Sequence, residues 1–388
     1  MIFVNRSIIR RALLVGPAAA LALTTGVPSA EAAGPPGWRT LTTVSVLSQT
    51  GLFGVTTSGA RHAWAVGTAS SSDGSTNEPV VESWNGSAWS HVSLPASVVS
   101  TLGQTEPLLA ATAALGPTNV WAFTPFGQWL HGSGTTWTAG KLAAGPVFVQ
   151  SSVAVGQNTV WAFGSTETRS GMVPFASFHT GSQGWNRTPV PGTGAIAAAS
   201  AVSGQDIWAV IGNGVFGFGG KVGGLVHWSG GHWHKVVSLP AALRNGSLGA
   251  VLARSDQNVW VGGAVRNSKN GTTETVGHWN GHRWTVVKLR AAASTAHFHV
   301  VSMVIDGVGG IWALGFCQST GCSNGSSSRL WHETAGHWSL PVKPKLSSKP
   351  HVLVSLAPAE HSVWGVGLVK TSSTGVDGLI ALWGPIPH

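Results

Sequence analysis

Tryptophan recurs in this 388-residue chain at three positions of a repeating unit, and that recurrence limits the fold more than any other feature. The first position lies in an apolar-Trp-small-apolar run, as in His62-Ala63-Trp64-Ala65-Val66-Gly67, and returns at Trp121, Trp161, Trp208, Trp260, Trp312 and Trp364. The second is read at Trp84, Trp129, Trp228, Trp279, Trp331 and Trp383, with Phe178 in the one slot that lacks an indole. The third is Trp89, Trp137, Trp185, Trp233, Trp284 and Trp338. Of the 20 tryptophans only Trp38 is left over, while the seventh unit (Trp364, Trp383) reaches His388 without a third tryptophan of its own.

First-position tryptophans follow one another at 57, 40, 47, 52, 52 and 52 residues. A period near 50 overrides the two or three ordinary domains that length alone suggests, because it holds four short strands with their turns. An innermost strand of small and β-branched residues opens each unit, as in Ala110-Ala111-Thr112-Ala113-Ala114 and Val300-Val301-Ser302-Met303-Val304. A turn such as Gly204-Gln205-Asp206 follows, rich in residues that bond their own backbone or tolerate positive φ. The second strand carries the first tryptophan. The third and fourth strands flank Trp-x-Gly-x-x-Trp, seen at Trp84–Trp89, Trp228–Trp233 and Trp279–Trp284. With Gly as the first residue of a two-residue type II′ turn, the two indoles are expected directly opposite each other. The units Trp129–Trp137, Phe178–Trp185 and Trp331–Trp338 are expected to keep the pair and lengthen the turn.

Gly37-Trp38-Arg39-Thr40-Leu41 matches the fourth-strand pattern of His232-Trp233-His234-Lys235-Val236. It is expected beside Ala381-Leu382-Trp383, so that residues of about 36–43 complete the seventh unit and remove the open edge of the array. On these residues the chain resembles secreted bacterial seven-bladed β-propellers with Trp-rich repeats, within the kelch, WD40 and BNR-like propeller superfamily. The resemblance implies an all-β ring of four-stranded antiparallel blades closed by an N-terminal strand. Gly-His and Trp-Asp signatures are missing, and only Val261-Gly262-Gly263 hints at the kelch double glycine. Such a scaffold has many uses, so it does not by itself assign a function.

Residues 1–32 read as a signal peptide: Arg6, Arg10 and Arg11 precede an apolar run from Ala12 to about Thr25, and Ala30-Glu31-Ala32 is a small-x-small cleavage site. The run falls short of the ~20 residues that span a bilayer. Both secretory and twin-arginine export fit. Residues 33–388 are then one secreted propeller domain, expected as a monomer without a membrane span. Cys317 and Cys322, separated by four residues, are the only cysteines; in an exported chain they are expected to form a local disulfide.

Charge is sparse and uneven. From 33 to 190 there are five basic and five acidic residues, and from 191 to 388 there are 14 and 7. In a four-stranded blade the loops between blades and those joining the second and third strands emerge on one face. Those loops hold Arg244, Arg266, Lys269, Arg290, Lys343, Lys345, Lys349 and Lys370. One face is therefore expected to be basic over about half its rim, suited to an acidic glycan, an anionic wall polymer or a protein by long-range attraction. Dispersed basic residues and export argue against nucleic acid.

Catalytic chemistry finds little support. Most of the 16 histidines recur at equivalent hairpin positions, which is the mark of scaffold. His232/His234 and His297/His299 alternate along strands and share a face, but neither pair has a third ligand nearby in sequence, so no metal is assigned. Tyrosine is absent, carboxylates are scattered, and no nucleophile elbow, His-Glu-x-x-His or phosphate loop occurs. No cofactor and no catalytic residue is assigned. The reading that results is an exported, non-enzymatic binding propeller acting through its loop face. A divergent hydrolase or lyase with a channel site and a purely structural surface protein are the alternatives. The indoles are expected to be consumed by packing, with an irregular unit such as Trp129-Leu130-His131-Gly132 the place for an exception.

Overall fold

The computed structural model describes residues 37–103, 107–143, 145–181, 183–212, 224–289, 296–317, 322, 327–339, 344 and 346–387. Among them the strands fall into seven four-stranded antiparallel units, six of them met in chain order from the axis outwards. Five are separate sheets. The first unit (Gln49–Thr57, Ala63–Ser70, Asn77–Trp84, Trp89–His91) and the seventh share a sheet through one parallel bridge, Gln49 to Val376. The fourth strand of the seventh unit is Trp38–Val44, which pairs antiparallel with Val376–Trp383 and sets Trp38 opposite Trp383. Arg39 Nη1 also donates to the Gly384 carbonyl at 2.6 Å. Each innermost strand packs on the next, and His351–Ala359 of the last packs on Gln49–Thr57 of the first.

Small residues on these strands have a steric cause. In six units a bulge shifts the register between strands one and two, for example between Leu52 and Gly54 and between Val300 and Ser302. A bulge bends the strand and strengthens its twist. In five of the six a glycine stands opposite it, three residues after the first tryptophan (the fourth unit has Ile211); a Cβ at Gly67 or Gly263 would lie 1.8 or 2.0 Å from a carbonyl oxygen of the bulged strand.

Strand register corrects the tryptophan positions. The third position is an indole in all seven units once Trp38 is counted. The second slot, the residue paired with the one before the first tryptophan, is Trp84, Trp228, Trp279 and Trp383 in four units. In the other three it is Gly132, His179 and Glu333, paired with Val120, Val160 and Ile311. Trp129, Phe178 and Trp331 are therefore displaced from the slot, and Phe178 faces Trp161 directly. The indole pairs Trp84–Trp89, Trp228–Trp233 and Trp279–Trp284 are directly opposite as expected. The irregular units do not keep that pair: Trp137 faces Gly132, Trp129 faces Gly140 and Trp338 faces Glu333. Their turns are not lengthened at the second and sixth hairpins, where Ser133 pairs Thr136 and Thr334 pairs His337 around two residues. The strands have grown instead. Turn type varies with glycine placement: Gly86 and Gly281 alone have positive φ (93° and 87°), which suits type II′, whereas Gly230 and Gly231 (58° and 82°) give type I′.

The first-position indoles bind each blade to the next. Trp64 meets Trp137, Trp121 meets Trp185, Trp161 meets Trp228 and Trp233, and Trp260 meets Trp338. Trp208 shares a core cluster with Trp279 and Trp284. Trp312 meets both Trp383 and Trp38 at 5.5 Å, and Trp364 returns to Trp84 and Trp89 of the first blade. Edge-to-face geometry dominates, which favours the indole quadrupole beyond area burial.

Four blades also stack a third-strand histidine flat on the first tryptophan, at centroid separations of 4.0 to 4.2 Å: His131, His227, His278 and His332. Each imidazole Nε2 is tied to an Asn or Asp oxygen, of Asn119, Asp206, Asn258 and Asp306 respectively. These histidines are scaffold. In the sixth blade Asp306 is fully buried, faces His332 at 2.7 Å and accepts the Val308 and Gly310 amides at 2.9 and 2.8 Å. Burial alone would raise its carboxyl, but the His332 bond and the two amides more than offset it and hold it below the ordinary value. Asp306→Ala is expected to cost about 1–3 kcal/mol, since the buried Gly310 amide and the part-buried Val308 amide lose their acceptor. A depressed folded value means this stabilisation is complete above the unfolded carboxylate value of about 3.9 and disappears as pH falls through the folded one. The wild-type advantage in urea midpoint should therefore shrink on acidification below that point. An advantage independent of pH would contradict an ionised Asp306.

Candidate functional site: loop face, channel and junction cleft

The alternation of strand direction puts every second-to-third-strand loop and every blade-joining loop on one face. Arg244 closes the short helix Ala241–Arg244 before the fifth blade. Arg266 ends the second strand of that blade, and Lys269 lies in the loop beyond it, where Asn267 Oδ1 accepts the Lys269 amide at 2.9 Å. Lys349 precedes the innermost strand of the seventh blade, and Lys370 ends its second strand. All five side chains are exposed. Arg290, Lys343 and Lys345 lie outside the described residues. Lys349 is the least free of the five: its Nζ donates to the Thr371 carbonyl, and its charge faces Asp377. Burial raises the Asp377 carboxyl, opposed by the Ser45 hydroxyl and the Lys349 ammonium. Arg329 does not join this face, because it sits 3.9 Å over the Phe298 ring and 3.6 Å from the buried Glu274.

Cys317 and Cys322 are disulfide-bonded, and both are buried against Phe298 and Ala296. The bridge begins at the last residue of the strand Ile311–Cys317, so it fixes the root of a loop on the same face.

The axial channel has a volume of about 280 Å³ and is lined by all seven innermost strands. Its lining is Ala, Val, Ser, Thr and Gly with Phe53, Gln150, Met303 and Leu356, and it contains no ionisable side chain. His232 and His234 do share a face, with rings 4.2 Å apart, and His299 is half-buried with its imidazole pushed down to about 4 by burial and then by His297. Among the described residues no group of three or more His, Cys, Asp or Glu is arranged to hold a metal.

A second cavity, of about 370 Å³, opens between the fifth and sixth blades near the strand-one-to-two and strand-three-to-four turns, hence on the opposite face. Arg254, Trp260, His278, Thr285, Glu333 and Trp338 contribute to its walls. Sequence patterns gave no signal for it, because Arg254 and Glu333 come from different repeats and match no motif. The one cue was that Trp331–Trp338 departs from the regular spacing.

The fold is that of a β-propeller, with WD40-like architecture. No family model and no curated protein matches the sequence. Solved structures do resemble it: that described as "YCF48 bound to D1 peptide" has 13% identity and a TM-score of 0.55, over 91% of this chain and 99% of that one. The WD40 β-propeller domain of Doa1 has 11% identity and a TM-score of 0.55, over 89% and 97%. The β-propeller domain of the Trilobed protease from Pyrococcus furiosus has 10% identity and a TM-score of 0.52, over 86% and 93%. At such identities the likeness establishes the fold alone. Among the described residues no helix is long and apolar enough to cross a membrane.

Proposed function

We propose that this chain is an exported, non-enzymatic interaction propeller that engages an acidic glycan, an anionic wall polymer or an acidic protein surface through its basic loop face. Export is inferred from the targeting pattern of residues 1–32, which lie outside the described residues, and the disulfide is consistent with an oxidising compartment. The observation that carries the reading is the convergence of Arg244, Arg266, Lys269, Lys349 and Lys370 on one face, all exposed, from two different blades. A partner recognised this way is captured by summed charge, so its binding weakens as salt screens the field over about 10 Å. The 13%-identical structure with a bound peptide is a precedent for partner binding on this fold, not for this partner.

Arg266→Glu, Lys269→Glu and Lys370→Glu combined are expected to abolish retention on immobilised polygalacturonate at low salt. Wild-type protein should be retained and should elute as ionic strength rises. These exposed positions carry no core packing, so the thermal midpoint should be unchanged. Equal retention of both proteins would overturn the loop-face assignment.

A further inference from the structure

We propose that the cleft between the fifth and sixth blades is a binding site for a neutral saccharide unit, distinct from the basic loops and on the opposite face. Its origin is one substitution in the indole pattern. Where four blades place tryptophan in the second slot against the preceding blade, the sixth places Glu333. Trp260, the indole that this slot would help to cover, stays half-exposed, whereas Trp312 and Trp364 at the next two junctions are buried.

The cleft is more than a packing fault. Glu333 is only 6% exposed, a costly place for a carboxylate unless its lone pairs are used. One of its oxygens accepts the Gly336 amide at 2.6 Å; no second hydrogen bond is made to the carboxylate among the described residues, and its charge faces His278. Arg254, on the fifth-blade side of the cleft, is exposed and forms no ion pair or hydrogen bond among the described residues. A carboxylate only accepts and a guanidinium only donates. The same cleft is lined by the indoles of Trp260 and Trp338, edge to face at 5.9 Å, and by His278 stacked on Trp260 at 4.0 Å.

A ligand for this set needs donors for Glu333, acceptors for Arg254 and an apolar face for the indoles. Sugar hydroxyls do both polar tasks, and the C–H face of a pyranose does the third. A lone cation would have to pass the Arg254 charge, and a lone anion would be desolvated beside Glu333; a neutral polyol meets neither penalty. The volume of about 370 Å³ falls in the range of small-ligand sites, roughly 300–1,000 Å³.

The test is calorimetric titration of the protein with cellobiose, maltose and chitobiose, with tetramethylammonium and acetate as charged controls. At least one disaccharide should bind saturably. Glu333→Gln keeps an acceptor for the Gly336 amide, and Arg254→Ala touches no core, so both should fold; each should weaken binding roughly tenfold or more, as expected for loss of a charged hydrogen bond. The loop-face triple variant should bind the disaccharide like wild type, and both cleft variants should be retained on polygalacturonate like wild type. Absence of saturable binding to all three disaccharides overturns the proposal. So does disaccharide binding that survives both cleft substitutions, or Glu333-dependent binding of tetramethylammonium alone. None of these outcomes bears on the loop face, whose failure would show only in the polygalacturonate arm.

Discussion

Trp364→Ala is expected to lower stability by about 3–5 kcal/mol, the range for truncating a buried aromatic side chain. Trp364 is fully buried, with its ring 5.2 Å from Trp84 and 5.1 Å from Trp89, both steeply inclined to it. Those two indoles belong to the first blade, so the residue joins the last unit to the first. Domains have only about 5–15 kcal/mol in total, so a loss of this size should move the urea midpoint far and bring unfolding near ambient conditions. Trp260→Ala, which removes a half-exposed indole at the cleft, should cost clearly less. Equal losses, or a Trp364→Ala loss below about 1 kcal/mol, would show that the junction between seventh and first blades does not bear on the stability of the ring.

Removing the chain through Val44 is expected to have a still larger effect and a different signature. The strand Trp38–Val44 pairs along Thr43–Leu379 and Trp38–Trp383, and its indole packs edge-on to Trp312 of the sixth blade. Without it, Val376–Trp383 becomes an exposed edge whose core side chains Leu379, Ile380, Ala381 and Leu382 are all fully buried in the intact ring. An unprotected apolar edge strand pairs with other copies. The truncated protein should lose the single cooperative urea transition and scatter light as it self-associates. A monomeric product with an unchanged midpoint would mean that the N-terminal strand is an accessory and not the fourth strand of a blade.

Most of the fold was legible because tryptophan marks a position whose distance from a glycine turn is constant. Trp38 could be assigned to the far end of the chain because Gly37-Trp38-Arg39-Thr40-Leu41 resembles the fourth strand His232-Trp233-His234-Lys235-Val236, an element that the seventh repeat lacked. The second position was read correctly where the turn glycine lies two residues after the indole, at Trp84, Trp228 and Trp279, and also at Trp383. In the sixth blade Trp331 and Glu333 lie two residues apart on one strand, so both point to the same face. Composition favours the indole as the slot residue, and only the pairing of Glu333 with Ile311 and with Trp338 shows otherwise. In the third blade the adjacent Phe178 and His179 are both aromatic, and a shift of one residue moves the whole set to the other face. The loop face was legible from topology and charge. The cleft was not, because it depends on the register of one hairpin against the neighbouring blade.

Arg39 and Gly384, which share a hydrogen bond, are 345 residues apart. The strand translated first in the ring is thus the last to find its partner, since Val376–Trp383 must be released before Trp38–Val44 can pair. During synthesis, or during any threaded passage through a pore, six blades can assemble while the leading segment stays unpaired. Completion is then a single late event once Val376–Trp383 has emerged, and a copy cut short before Val376 has no means of locking.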